Sequence, residues 1–225
     1  MILACDTSSS ICSVALVQDQ EVVQKWETTG AQVHIEKLTP FLKEALTHCN
    51  SSKTVVDALA LSIGPGSFNG LRIGLATVKG LALTRNLPII PVPSLDALAL
   101  NAENNLRGRC RGVIFSHRNL VHYADYQLGA KAPLQTPDFS YTSWDDLYEK
   151  EIDHYFGDVE RGYGEWLKTD AGQPVQDRYH NLQADAGYIG LLAEQRLSEA
   201  SQDLDQLEPL YNAKYVAQKW IPPQF

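Results

Sequence analysis

The sequence predicts an α/β fold in two lobes. Three observations carry this reading: short apolar runs near the start, helical segments that alternate with further apolar runs, and a length of 225 residues, enough for one large domain or two small ones with a core each. The runs Ile2 to Cys5, Cys12 to Val17 and Val22 to Trp26, with the polar break Gln18-Asp19-Gln20 between the last two, predict three strands in a meander.

From His34 onward, Ile35, Leu38, Phe41, Leu42, Ala45, Leu46 and Cys49 recur at spacings of three and four, with Glu36, Lys37, Lys43 and Glu44 opposite. This is the pattern of an amphipathic helix. Proline costs little only in a first turn, so Pro40 predicts a helix that starts near Leu38 or kinks there. Ala58 to Ser62 reads as a buried strand, Gly64 to Gly70 as a tight loop, Leu71 to Thr84 as a second helix and Ile89 to Val92 as a further strand. Each crossover between the later strands contains a helix, so those strands are expected to be parallel.

The polar stretch 101 to 111 has no apolar period and suits a linker, which predicts lobes at 1–104 and 105–225, with the terminal segment packing back on the first. Val113 to Phe115 and Leu120 to Gln127 read as a hairpin. Ser143-Trp144-Asp145-Asp146 offers an N-cap with an acid three residues on, opening a helix. Gly157 to His180 gives turns and short strands, Asp185 to Ser198 a helix, and Tyr211 to Trp220 a terminal helix or extended tail.

A formal net charge of -8 argues against a broad phosphate-binding face, so any nucleic acid is expected to be held by a partner. The start, MILACDTSSS, has no basic region and few apolar residues before its aspartate; it is read as neither signal peptide nor membrane anchor, and the protein as cytoplasmic. Cys5, Cys12, Cys49 and Cys110 form no Cys-x-x-Cys pair and read as structural thiols. The six histidines are never three or four apart, so no helix presents two of them side by side and no metal is expected.

Three segments can carry chemistry. Gly64 to Gly70 leads into a helix N-terminus, where free amides and the helix dipole can hold an anion. Leu71 and Arg72 stand where a P-loop needs Lys and Ser or Thr, so the loop is either a plain tight turn or an anion site built on Gly66 and Ser67. Asp6, Thr7 and Ser8, with Ser9 and Ser10, form a polar turn after the first strand, either a local Asx or Ser/Thr turn or part of the same anion site. Gly70, Gly74, Thr77 and Gly80 give the second helix a small-residue face. Glycine inside a helix costs about 1 kcal/mol against alanine, so this face serves close approach, by another helix or by the chain's own sheet. Trp144, Tyr148, Tyr155, Phe156, Tyr163 and Trp166 are interleaved with acids and read as core rather than as a base-stacking platform.

Taken together, ILACDTSSSICSVAL, HIEKLTPFLKEAL, ALSIGPGSFNGLRIGLATVKGLAL and IPVPSLDALA resemble the TsaB (YeaZ) family in order, spacing and length. The likeness is strong over residues 1 to about 100 and thin afterward, although LEPLYNAKYVAQKW is similar to the family's terminal Pro-x-Tyr-Leu-Arg segment. The chain departs from the family at Asn69, where a threonine is usual, at Ser116-His117-Arg118 for Asp-Ala-Arg, and at Asn212-Ala213 for the terminal Leu-Arg.

The resemblance implies a two-lobed ASKHA (actin, Hsp70 and sugar-kinase-like) α/β fold with mixed sheets flanked by helices. It further implies a non-catalytic scaffold for threonylcarbamoylation of tRNA adenosine, which binds a catalytic paralogue, TsaD, together with the ATPase TsaE. On this reading the chain is a homodimer when alone, meets tRNA only through the complex, does not engage a membrane and needs no cofactor. The catalytic paralogue carries His-x-x-x-His after the strand corresponding to Ile89 to Val92; here those positions fall on Ser94 and Leu98, which cannot replace two imidazoles. The expected partner surface comprises Leu38, Leu42 and Ala45 of the first helix with Gly70, Ile73, Gly74 and Thr77 of the second. Asp6, Thr7, Ser8, Gly66 and Ser67 are the expected vestigial nucleotide or anion loop. The alternative is an enzyme of the same fold, a metal-independent peptidase or a small-molecule phosphotransferase.

Overall fold

In a computed structural model, residues 1–30, 32–117, 119–129, 138–158 and 163–210 are described. The meander forms as β1 (Ile2–Asp6), β2 (Ile11–Gln18) and β3 (Glu21–Thr29), followed by α1 (Val33–Ser52), β4 (Ala58–Gly64), α2 (Phe68–Arg85), β5 (Ile89–Pro93) and α3 (Ser94–Ala102). The second half contributes β6 (Gly108–His117), β7 (Leu120–Leu128), β8 (Ser140–Ser143), β9 (His154–Gly157), α4 (Tyr163–Trp166), β10 (Tyr179–Asn181) and α5 (Ala186–Gln195). These make two five-stranded mixed sheets, ordered β3-β2-β1-β4-β5 and β10-β9-β6-β7-β8. As expected from the helical crossovers, β4 runs parallel to both β1 and β5.

Alternation along the first sheet divides two cores. Leu3, Cys5, Val14, Leu16, Leu59 and Leu61 face one way and pack with Leu38, Leu42, Ala45 and Cys49 of α1 and with Val78 and Ala82 of α2. Ala4, Ala15, Val17 and Ala60 face the other way and pack with α3, α5 and the inner face of the second sheet, through Cys110, Ala124, Tyr126 and Phe156. The small side chains on that face let α5 lie close: a Cβ on Gly190 would stand 2.4 Å from Val17 Cγ2 and 3.2 Å from Ala4 Cβ. A third core, with Val113, Trp144, Leu147, Tyr155 and Trp166, fills the outer face of the second sheet; Tyr148 is exposed and is not part of it.

Three expectations are corrected. Helix α1 begins at Val33 and runs through Pro40; both Pro40 and Glu36, whose carbonyl loses its intrahelical donor there, are exposed to solvent. The stretch 101 to 111 is not a linker throughout, because α3 ends at Ala102 and β6 opens at Gly108. Its polarity misleads because Arg111 is buried with its charge paired: Nε lies 2.6 Å from Asp125 Oδ1 and Nη2 2.8 Å from Glu149 Oε1. Ser143 does make the local bonds of a cap, accepting from the Asp146 amide at 3.2 Å and donating to Asp146 Oδ2 at 2.7 Å. No helix follows, because Trp144 and Leu147 turn into the outer core. Arg118 and the segment Tyr211 to Trp220, including Asn212 and Ala213, lie outside the described residues.

Candidate functional site

The turn after β1 and the loop before α2 meet, as the anion-loop reading required. Ser67 donates its amide to the Ser8 carbonyl at 2.7 Å, and Thr7 Oγ1 donates to the Gly70 carbonyl at 2.8 Å. A Cβ on Gly66 would stand 2.2 Å from the Ser8 carbonyl oxygen, so only glycine lets the two backbones touch. Asp6, Thr7, Ser8, Gly66 and Ser67 therefore form one unit, and Ser67 also caps α2 by accepting from the Gly70 amide.

Asp6 is fully buried and its Oδ1 accepts the Ser8 amide at 2.8 Å. Its Oδ2 has no hydrogen-bond partner among the described residues. Burial pushes its pKa up to about 6, against the nearby Ser8 amide and the Ser8 and Ser62 hydroxyls, which pull it back.

This unit forms one wall of a cleft lined also by Ser94, Leu98, Ile114, Phe115, Asp158, Leu182, Gln183 and Ala184. Residues from both sheets contribute, and the chain crosses the cleft between β10 and α5. Ser94 Oγ is 2.7 Å from Ser62 Oγ, and Leu98 is buried. Among the described residues the lining contains hydroxyls, a carboxamide, apolar side chains and one carboxylate, with no lysine or arginine. Those described residues offer no fixed cation to balance a phosphate. The sequence did not single out Ile114, Phe115, Asp158, Leu182, Gln183 or Ala184, which reach the cleft from elements distant along the chain.

Most of the expected partner surface lies elsewhere than its role requires. Leu38, Leu42 and Ala45 are at most 5% exposed and hold α1 on its own sheet. Gly70 and Gly74 face inward: a Cβ on them would stand 2.0 Å from the Thr7 carbonyl and 2.3 Å from Thr7 Oγ1 respectively. The room these glycines create is filled by the β1–β2 turn. Ile73 and Thr77 are half-buried. Between the outer sides of α1 and α2 runs a groove lined by Thr39, Lys43, Leu46, Thr77, Gly80 and Leu81 among others, and nothing lies within 4 Å of a Cβ placed on Gly80.

A family model described as "TsaD: tRNA N6-adenosine threonylcarbamoyltransferase" matches residues 28–131. The chain is 29% identical to the tRNA threonylcarbamoyladenosine biosynthesis protein TsaB of Escherichia coli K12 across 98% of each chain. It is 40% identical to the protein of the same name from Haemophilus influenzae, over 44% of this chain and 41% of that one. The solved structure of YeaZ from Pseudomonas aeruginosa superposes with a TM-score of 0.75 at 24% identity, covering 93% of this chain and 98% of that chain. The chain is thus similar to TsaB/YeaZ proteins along almost its whole length. A second solved structure, described as similar to peptidase YeaZ from Pseudomonas aeruginosa, superposes with a TM-score of 0.72 at 23% identity. The two mixed sheets flanked by helices share the fold of the YeaZ structure. Among the described residues, no helix is long and apolar enough to cross a membrane.

Proposed function

We propose that this chain acts in the cytoplasm as the non-catalytic scaffold of tRNA threonylcarbamoylation, holding a TsaD-like paralogue in its active arrangement with a TsaE-like ATPase. The observation that carries the reading is the pair Ser94 and Leu98 on the cleft wall: one hydroxyl is engaged with Ser62 and the other side chain is hydrocarbon. Neither supplies the imidazole that metal-assisted carbamoyl transfer needs at those positions. The lobes 1–104 and 105–225 serve as a rigid support, with α5 returning across the first sheet. That return is held by Lys25 to Asp185 at 2.6 Å and by the Ala186 amide to Ser13 Oγ at 2.8 Å.

The paralogue docks on the α1–α2 groove, whose walls carry Leu46, Thr77, Gly80 and Leu81. Two copies of this chain compete for the same face when the paralogue is absent. The net charge of -8 keeps the isolated chain from tRNA, which binds through the assembled complex. Reconstitution tests the reading: the chain alone modifies no tRNA, the paralogue and the ATPase without it are slow, and adding it restores the rate. Modification of tRNA by the isolated chain, or a rate indifferent to its presence, would overturn the proposal.

A further inference from the structure

On the far strands of the second sheet, two histidines distant in sequence meet. His154 opens β9 and His180 lies in the middle of β10, the edge strand that pairs with β9 in parallel register. His180 stands opposite Phe156, and strand alternation puts His154 on the same face as Phe156. The two imidazoles therefore meet on one face and share a hydrogen bond, which a shared metal ion would replace: His180 Nε2 lies 3.1 Å from His154 Nδ1, with ring centroids 5.0 Å apart and planes at 68°.

We propose that His154 and His180 form a two-imidazole binding site for a divalent transition-metal ion of the zinc, nickel or copper class. Metal–imidazole bonds of about 2.05 Å drawn to nitrogens at this separation subtend about 98° at the ion, between the tetrahedral angle and the cis angle of square or octahedral coordination. Ligation requires both rings to be neutral. Burial and the neighbouring His154 hold His180 below the usual histidine pKa. Neutral imidazole keeps one proton, which moves to the nitrogen facing away when the other takes the metal, so the pair binds without gaining or losing charge. Among the described residues no third histidine, cysteine or carboxylate completes a cluster here; the adjacent Asp153 carboxylate accepts the Arg109 amide at 2.8 Å. The remaining coordination positions are open to water, which suits exchangeable rather than permanently buried metal.

Position gives the site a consequence. The chain passes from His180 through Leu182, Gln183 and Ala184, which line the cleft, to the Asp185 cap of α5 on the first sheet. An ion held by both rings fastens β10 to β9 at the point where the chain leaves one sheet for the other.

The test is calorimetric titration of the chelator-treated full-length chain with nickel(II), alongside His154→Ala, His180→Ala and the double variant. The expected result is one ion per chain, with affinity falling about tenfold or more in each single variant, at least the scale on which even outer partners tune metal affinity. Paramagnetic broadening in the wild type then needs no variant to fold: nickel should first erase the ring signals of His154 and His180, leaving those of His48 and His117. No binding to the wild type, undiminished binding to the double variant, or broadening first at the other histidines would each overturn the assignment.

Discussion

Thr7 donates its hydroxyl hydrogen to the Gly70 carbonyl at 2.8 Å, and the same side chain fills the space a Cβ on Gly74 would occupy. One residue of the β1–β2 turn thus explains two of the three glycines spaced along α2. Gly80 is different, because its Cβ direction opens on empty space.

The two kinds of glycine predict opposite effects on stability. Gly74→Ala forces a methyl to within 2.3 Å of Thr7 Oγ1, and overpacking of this kind costs about 1 to 3 kcal/mol. Gly80→Ala meets nothing and is expected to stabilise by about 0.5 to 1 kcal/mol through helix propensity. Urea unfolding of the two variants checks the contrast; equal midpoints would show that Thr7 does not set the fit of α2.

Two buried titrating groups predict slopes of opposite sign in stability against pH. Asp6 is raised to about 6 in the folded state, so its contribution is fully present below pH 4 and is lost as pH rises to about 6. The scale is on the order of 2 to 3 kcal/mol. His122, buried beside Phe139 and Tyr141, is lowered to about 4 by burial and by the charge of His117. Its contribution is present above pH 6.5 and is lost as pH falls to about 4. Unfolding free energies should therefore fall from pH 7 to pH 4 in Asp6→Asn, which leaves the His122 loss unopposed, and rise over the same range in His122→Phe, which leaves the Asp6 gain unopposed. Unchanged slopes in both variants would refute the assignment.

How much of this was legible in the sequence depended on whether a local pattern had a local cause. The meander, α1, the glycine loop and α2 were readable because periodicity and turn residues report directly on backbone state. Helix α3 was missed since it is buried nearly all round, from Ser94 through Ala99, so no polar face marks it. The spacing of Gly70 and Gly74 announced a close approach but not the approaching group, which is 63 residues away in Thr7 for the Gly70 bond. Leu38, Leu42 and Ala45 were readable as an apolar stripe, yet the stripe that seats a helix on its own sheet looks the same as one that seats a partner. The pairing of His154 with His180 had no signal in spacing, being fixed by strand register alone.

Asp96, 1% exposed on α3, accepts from Tyr126 Oη on β7 at 2.8 Å and from Arg196 Nη2 after α5 at 2.8 Å. It joins elements packed on both sheets, and its partners differ in charge. Arg196→Ala removes the cation opposite a buried carboxylate, with an expected loss of about 3 kcal/mol. Tyr126→Phe removes one neutral donor, with an expected loss of about 1 kcal/mol. Thermal unfolding of the two variants should show Arg196→Ala the lower; the reverse order would mean that the charge pair is not what fixes α5.

The α1–α2 groove gives the sharpest test of partner docking, because one of its residues, Gly80, directs its Cβ position into open space. Gly80 lies on the outer side of α2 beside Thr77, Leu81 and Thr84, facing Thr39, Lys43 and Leu46 of α1. A long side chain there fills the groove, whose floor includes Leu42, while Leu38 and Ala45 do not line it. Arginine supplies that bulk without adding exposed apolar surface, and it joins Lys43 and Arg85, so a partner surface matched to the native groove meets both a steric block and an added positive charge. An overpacked contact costs about 1 to 3 kcal/mol, which lowers affinity by about tenfold or more. Circular dichroism and thermal unfolding of Gly80→Arg should match the wild type, while sedimentation of the isolated chain shifts toward monomer and capture of the TsaD-like paralogue falls. Gly80→Ala, too small to fill the groove, should keep both associations. A folded Gly80→Arg variant that dimerises and captures the paralogue with unchanged affinity would remove the groove as the docking face.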